Sequence, residues 1–404
     1  MNADKGYDRM IVEMLAADEV SPEDPTSLRA TGFLARNWYK FDRNVWLDDT
    51  VEHTAKAFLG ITMNCCRCHD HKYDPISQKE YYGFRAIFEP YDVRTDRIPG
   101  ELDVEKDGLP RVHDAKPDAK TFFFERGDPK RARSDESLEP TVPGIVKGSS
   151  FDVEEVRLPI LAYYPALREH VVEDLREKRK NDLLSAEKQY SEARVAFLKA
   201  KFGIVRKDEK VGSPDAAEGK KNEELGDKAS TAEKSSAAED PKVLKKLARA
   251  ELQLARKRLL ARTVHLKETD ARIAAEKYKH GFADDTVGKE ANSTIAYGNL
   301  SSVAATLQRS FKVASAAEKL SNEEFKLKKI SLKPDKDAEK AKKAVEAATK
   351  KVESARKALE EARKSLDGNG TDYDPLGPIH PNSSTGRRLS LAQWIANKKN
   401  PLTA

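Results

Sequence analysis

The sequence predicts a mainly α protein: a helical domain with a small irregular β segment, followed by a long antiparallel coiled-coil hairpin with a disordered tip. Three observations predict it. Apolar residues recur at spacings of three and four over long charged stretches between residues 166 and 366, which is the helical period. Turn formers crowd residues 92–160, among them Pro99-Gly100, Asp107-Gly108, Asp128-Pro129 and Pro143-Gly144, and leave room only for short strands. Charged residues make up 35% of the 404-residue chain, against 38% hydrophobic ones. That is too polar for one compact globule, so part of the chain must be extended and solvated.

The elements follow in order. Residues 7–20 predict a helix with Asp8 as cap and Met10, Ile11, Met14 and Leu15 on one face. Pro22-Glu23-Asp24-Pro25 is a loop, and Ser27 caps a second helix weakened by Gly32. Trp38, Tyr39, Phe41 and Trp46 lead into residues 48–91. There Asp48 and Asp49 are N-cap types for a helix over 50–59 that stops at Gly60. Ser77-Gln78-Lys79-Glu80 is a capping box, followed by Tyr81, Tyr82, Phe84, Ile87 and Phe88 at helical spacing and ended by Pro90. Those aromatics read as ordinary core. Thr121-Phe122-Phe123-Phe124-Glu125 predicts a strand, and residues 153–160 another.

Long amphipathic helices are predicted over 166–202, 243–280 and 313–366, with Lys333-Pro334-Asp335 breaking the last. Residues 204–241, rich in Lys, Glu, Ser, Gly and Ala, predict the disordered tip. The coil is a solvated structural hairpin on this pattern, with self- or hetero-association as its functional alternative. After Asp367-Gly368-Asn369-Gly370 and the rigid Pro375-Leu376-Gly377-Pro378 comes a short amphipathic helix with Leu389, Ala392, Ile395 and Ala396 inward. Arg387 and Arg388 read there as an exposed pair. The expected domains are 1–160, 161–370 and 371–404, the last being the opening of a further domain.

Between the two helices of 48–91 lies Asn64-Cys65-Cys66-Arg67-Cys68-His69-Asp70-His71-Lys72-Tyr73-Asp74-Pro75, which holds all three cysteines of the chain. Cys65, Cys68 and His69 form C-x-x-C-H, the spacing of covalent c-type haem attachment. One turn of chain lets two thiols reach two vinyl groups, and the next imidazole lies beneath the iron as axial ligand. Two other chemistries fit the same residues. Cys66, His71 and Asp74 with Cys65, Cys68 or His69 offer thiolate, imidazole and carboxylate ligands to zinc or iron. Alternatively Cys65 and Cys68 form a disulfide, or Cys66 pairs with an outside partner, in an oxidising compartment. No methionine follows His69, so a distal ligand would come from His53, His113, Met14 or another distant side chain, Met63 being too near the loop to swing over the opposite face, or the site is five-coordinate. Asp70 is placed to orient His69 or His71.

Net charge is +5, from 73 basic and 68 acidic residues, a balance that gives no reason to invoke nucleic acid. No apolar run is long enough for a transmembrane helix, and residues 1–8 are polar. No catalytic triad or carboxylate pair can be placed, and the chemistry of any enzyme activity stays open.

Three blocks carry a resemblance. They are residues 65–76 (CCRCHDHKYDPI) with Tyr81-Tyr82; Ile98-Pro99-Gly100 with Arg126-Gly127-Asp128; and Ser384-Thr385-Gly386-Arg387-Arg388-Leu389 with Asn400-Pro401-Leu402-Thr403-Ala404. In these the chain resembles the large planctomycete cytochrome-c-domain proteins, over most of 1–160 and 372–404. The resemblance implies a haem module, a first domain of unknown function, a helical middle and a second domain of unknown function. It further implies a periplasmic or extracellular protein with an unidentified redox partner, of which this chain is a piece. The family offers no firmly assigned activity.

Overall fold

The computed structural model describes residues 4–101, 103–145, 151–203, 240–282, 293–332 and 337–400. Eight helices of more than five residues and six strands are used below. They are α1 (Tyr7–Val20), α2 (Arg43–Thr54), α3 (Gln78–Ala86), β1 (Tyr91–Asp96), β2 (Leu109–Asp114), β3 (Thr121–Phe124), β4 (Ala132–Leu138) and β5 (Val156–Arg157). There follow α4 (Glu169–Phe202), α5 (Pro241–Lys279), α6 (Ser293–Leu332), α7 (Ala338–Lys364), β6 (Ser383–Ser384) and α8 (Arg387–Ile395). The protein is mainly helical, with small separate antiparallel strand pairs. The chain divides into two units, one made of Met1–Leu175, Glu276–Ala283 and Asp374–Ala404, the other of Arg176–Ala275 and Asp284–Tyr373.

The first unit is built around one apolar cluster. Ile11 and Leu15 of α1, Trp46, Leu47 and Val51 of α2, and Tyr81, Tyr82, Phe84, Ile87 and Phe88 of the α3 region meet there with Leu391, Trp394 and Ile395 of α8. The α3 aromatics are therefore core, as their spacing implied. α1 has the predicted bounds, but its N-cap is Gly6, and Asp8 makes no cap. Asp24, not Ser27, caps the next turn, accepting from the amides of Thr26 and Ser27. Three antiparallel pairs complete the unit: β1 with β2, β3 with β4, and β5 with β6. The strand expected over 153–160 shortens to β5, because Pro159 opens a helical turn at Ile160–Tyr163.

β6 and α8 belong to this unit. Within it β6 pairs with β5, and α8 packs on α1. A helix with one apolar face needs a partner, and the partner lies at the other end of the chain. Leu391 and Trp394 fill the core side, while Leu389 is only half-buried.

Arg388 is the largest correction. It is fully buried, not exposed. Its Nη1 and Nη2 each donate to one oxygen of Asp18 at 2.7 Å. Nη2 also reaches Asp114 Oδ1 at 3.0 Å and lies 3.2 Å from Glu19 Oε1. The Asp114 carboxylate accepts from the Thr385 amide and hydroxyl, and Ser384 Oγ bonds both Asp114 and Glu19. The Ser-Thr-Gly-Arg-Arg segment is thus an internal clamp on α1 and β2.

In the second unit the third predicted run divides in two, α6 and α7, so four long helices succeed one another. Arg176 pairs with Asp270 and Arg258 with Gln189, which sets α4 and α5 antiparallel. Arg258 and Arg262 share Glu318, and the rings of His265 and Phe311 stack at 3.9 Å between α5 and α6. Arg309 donates to the Gly370 carbonyl, while Arg356 meets Glu324, so α7 returns along α6. The seams are lined by small residues, Ala186, Ala193, Ala255, Ala261, Ala304 and Ala305 among them, which let helices approach closely. The expected tip at 204–241 lies outside the described residues apart from its last two positions, as does the break at Lys333-Pro334-Asp335. No helix among the described residues is long and apolar enough to cross a membrane.

Candidate cysteine–histidine site

The cysteine turn hangs between α2 and α3 in the first unit. α2 begins earlier than expected. Asp42 caps it through the amides of Asn44 and Val45, so Asp48 and Asp49 lie inside the helix and not at its start. That shift gives Asp48 another task. Its Oδ2 accepts from Arg67 Nη1 at 2.8 Å, and its Oδ1 from Tyr81 Oη at 2.6 Å and Arg85 Nη1 at 3.3 Å. α2 runs on through Ala55–Leu59 and stops at Gly60, whose φ of +66° is the left-handed conformation glycine tolerates. Ser77 and Glu80 form the capping box that starts α3.

Asn64–Arg67 is a 3₁₀ turn. The Cys65 carbonyl accepts from the amides of both Cys68 and His69, at 3.2 and 3.4 Å. C-x-x-C-H is therefore wound as one turn. Cys65 is exposed, Cys68 half-buried and Cys66 buried, and all three thiols are free. Cys66 packs in the apolar cluster beside Met63, its Sγ donating weakly to the Ile76 carbonyl at 3.6 Å. Burial pushes that thiol up to about 11, which makes it a small hydrophobe and an inert one.

The turn is braced on several sides. The Arg67 carbonyl accepts from Tyr82 Oη at 3.0 Å and Gln78 Nε2 at 2.8 Å. The same Gln78 nitrogen reaches the Phe124 carbonyl at 3.0 Å, tying β3 to the turn. Asp70 Oδ1 accepts from the Gln78 amide and orients neither histidine by its side chain. Gly127, at φ +72°, presses against Cys68: a Cβ there would stand 2.7 Å from its Sγ. Arg126 beside it also has a positive φ, +55°. Strain of this kind in a non-glycine residue is held by its surroundings.

His69 is exposed, and its Nδ1 lies 2.7 Å from the Asp70 carbonyl. A carbonyl can only accept, so Nδ1 carries the hydrogen and Nε2 keeps its lone pair. His71 has the opposite arrangement: its Nδ1 accepts from the Asp74 amide at 2.8 Å, with Asp74 Oδ2 at 3.2 Å. Of the residues of the zinc or iron alternative, Cys66 is buried in the core, His71 is half-buried and Asp74 is exposed. Among the described residues no group of three His, Cys, Asp or Glu side chains is placed to hold a metal ion. Met63 is enclosed in the core; of the distal-ligand candidates, His53 Nδ1 bonds Asn37 Oδ1 at 3.0 Å. His113 is buried and held neutral by burial, Arg94 and His380, its ring pushed down to about 3.

The bracing residues Asp48, Gln78 and Gly127 were not singled out as such in the sequence. Asp48 was misassigned as a cap, and Gln78 carries no signal beyond following Ser77. Residues 1–93 match a family described as PSCyt2, a protein of unknown function (DUF1549). The match ends three residues into β1 and includes the whole cysteine turn. No curated protein and no solved structure matches the chain.

Proposed function

We propose that the 65–69 turn attaches one c-type haem, through Cys65 and Cys68, with His69 Nε2 as axial ligand, in an exported electron-transfer or redox protein. The observation that carries this reading is His69. Its Nδ1–H is fixed on the Asp70 carbonyl and its Nε2 is left bare, one residue after two reachable free thiols on the same turn. A metal-bound histidine normally needs such an outer-sphere acceptor on its second nitrogen. The match over residues 1–93 is in keeping with a cytochrome-associated domain of unknown function and names nothing finer.

Cys65 and Cys68 would hold the haem as thioethers, each thiol adding its sulfur and its hydrogen across one vinyl group with no change of oxidation state. Bound haem would supply one-electron redox chemistry. The chain's own residues hold the turn. Arg67 is anchored by Asp48, its carbonyl by Gln78 and Tyr82, and Cys68 is confined by Gly127. Cys66 is withdrawn, which leaves only two thiols to react.

The test is expression with an export signal in cells carrying a c-type maturation system. Intact mass should rise by one haem, the stain should survive denaturing electrophoresis, and Cys65→Ser/Cys68→Ser should lose both. An exported, folded chain of unmodified mass overturns the proposal.

A further inference from the structure

A cavity of about 370 Å³ opens in the first unit between the end of β1, the start of α4 and residues 376–380. It takes no part in the cysteine site. Arg94, Arg97 and Arg168 line it with Asp96 and His380. Apolar wall comes from Val104, Val171, Leu175 and Pro378. A mainly apolar cleft with a few convergent polar groups is the usual form of a small-molecule site.

The cations outnumber the anions. Asp96 is shared by Arg94 at 2.9 Å, Arg168 at 3.1 Å and, from behind the wall, Arg111 at 3.5 Å. Arg97 has Asp174, at 2.7 Å from its Nη2. Four guanidiniums therefore meet two carboxylates. Asp18, the next acid felt by Arg94 and Arg111, is engaged by Arg388. Arg97 also has a buried Nε with no hydrogen-bond partner among the described residues. A buried donor left unpaired is costly, and a surplus guanidinium beside it more so. Burial and the neighbouring Arg94 push Arg111 down to about 10, and burial with Arg94 pushes His380 down to about 4. The histidine is thus neutral at pH 7, and the positive potential is the arginines' own.

We propose that this cavity binds a small organic anion, with its oxyanion head on Arg97 and Arg168 and its apolar body against Val104, Val171 and Leu175. Guanidinium forks match carboxylate oxygens in plane and charge. The apolar wall selects a ligand with a hydrocarbon part over a bare inorganic ion.

The full chain is titrated with sodium hexanoate, hexylammonium chloride and 1-hexanol at fixed ionic strength, by calorimetry and by amide shifts in NMR. Hexanoate should bind saturably, in about the millimolar range for so small a ligand, and shift Arg97 and Val171. Hexylammonium should not bind, and hexanol should bind at least about tenfold more weakly, the scale of one charge-assisted contact. Arg97→Gln should weaken hexanoate about tenfold. Asp174→Asn should tighten it, because it frees the Arg97 head from its competing carboxylate. That opposite sign decides the matter even if Arg97→Gln does not fold. Saturation by hexylammonium, no saturation by hexanoate, or an unchanged affinity in Asp174→Asn would overturn the proposal.

Discussion

Replacing Arg388 by Met should unfold the first unit under conditions where the natural protein is stable. The side chain is 1% exposed, and its partners are buried almost entirely: Asp18 and Asp114 are 2% exposed, Glu19 0%. Met has the volume but no charge, so three carboxyl groups remain in the core without the Arg388 guanidinium. Removing one member of a buried ion pair typically costs about 3–5 kcal/mol. Here Asp18 loses a bidentate partner and Asp114 loses another, so the loss should reach the top of that range, with the Leu15 carbonyl also left without its Nη1 donor. A domain's whole stability is about 5–15 kcal/mol.

The assay is urea unfolding followed by tryptophan fluorescence. Trp38, Trp46 and Trp394 are the only tryptophans and all lie in the first unit, so the signal reports that unit without the helices of the other. The pH dependence supplies a second check. Burial tends to raise the Asp114 pKa, but Arg388 and Thr385 outweigh it and hold it below its ordinary value. A group with a lowered folded pKa stabilises above its unfolded pKa and loses that stability as pH falls through the folded one. In Arg388→Met the sign reverses: the carboxylates, buried without a cation, favour their protonated forms, so the variant gains as pH falls. The gap between the two proteins should therefore narrow from pH 7 toward pH 4. A loss under about 1 kcal/mol at pH 7, or a gap that widens with acid, would refute the ion-cluster argument.

Other consequences are smaller and independent. Alkylation at pH 8 followed by peptide mass mapping should label Cys65 first, Cys68 more slowly and Cys66 only on unfolding, since burial holds the Cys66 thiol at about 11; early labelling of Cys66 would contradict its packing. Gly127→Ala should cost about 1–2 kcal/mol for the left-handed backbone alone, and more for the clash with Cys68. It should lower the thermal midpoint and speed Cys68 labelling. Burial, offset by Arg388 and reinforced by Asp114 and Asp18, raises Glu19 to about 8. Such a group stabilises fully below its unfolded pKa and loses that contribution as pH rises toward 8, so Glu19→Gln should flatten the fall in stability between pH 5 and 8.

What could be read in advance divides by range along the chain. The bounds of α1, the capping box at Ser77 and Glu80, the stop at Gly60 and the aromatic face of α3 are all set by residues within a turn or two of one another. The C-x-x-C-H turn is of the same kind, and it does wind as one turn. The error over Asp48 is instructive because it is nearly local. Asp42 and Asp48 are equally good caps by residue type, and the choice between them falls to Arg67 and Tyr81, which hold Asp48 by its carboxylate and so keep it inside the helix.

Arg388 lay beyond such reasoning. A charged residue on an amphipathic helix reads as solvated unless its countercharges are visible, and these stand 274 to 370 positions away. The same separation explains why α8 looked like a helix without a partner. The clamp has a consequence for the cysteine site as well. α8 and the α3 aromatics share one apolar cluster, and Cys66 belongs to it, so the C-terminal segment helps to hold the core on which the reactive turn is mounted. A chain cut after residue 370 would leave Asp18, Glu19 and Asp114 without Arg388 and take Leu391 and Trp394 out of the apolar cluster that holds Tyr81 to Phe88. Any site at Cys65–His69 should then weaken although no residue of the turn has changed.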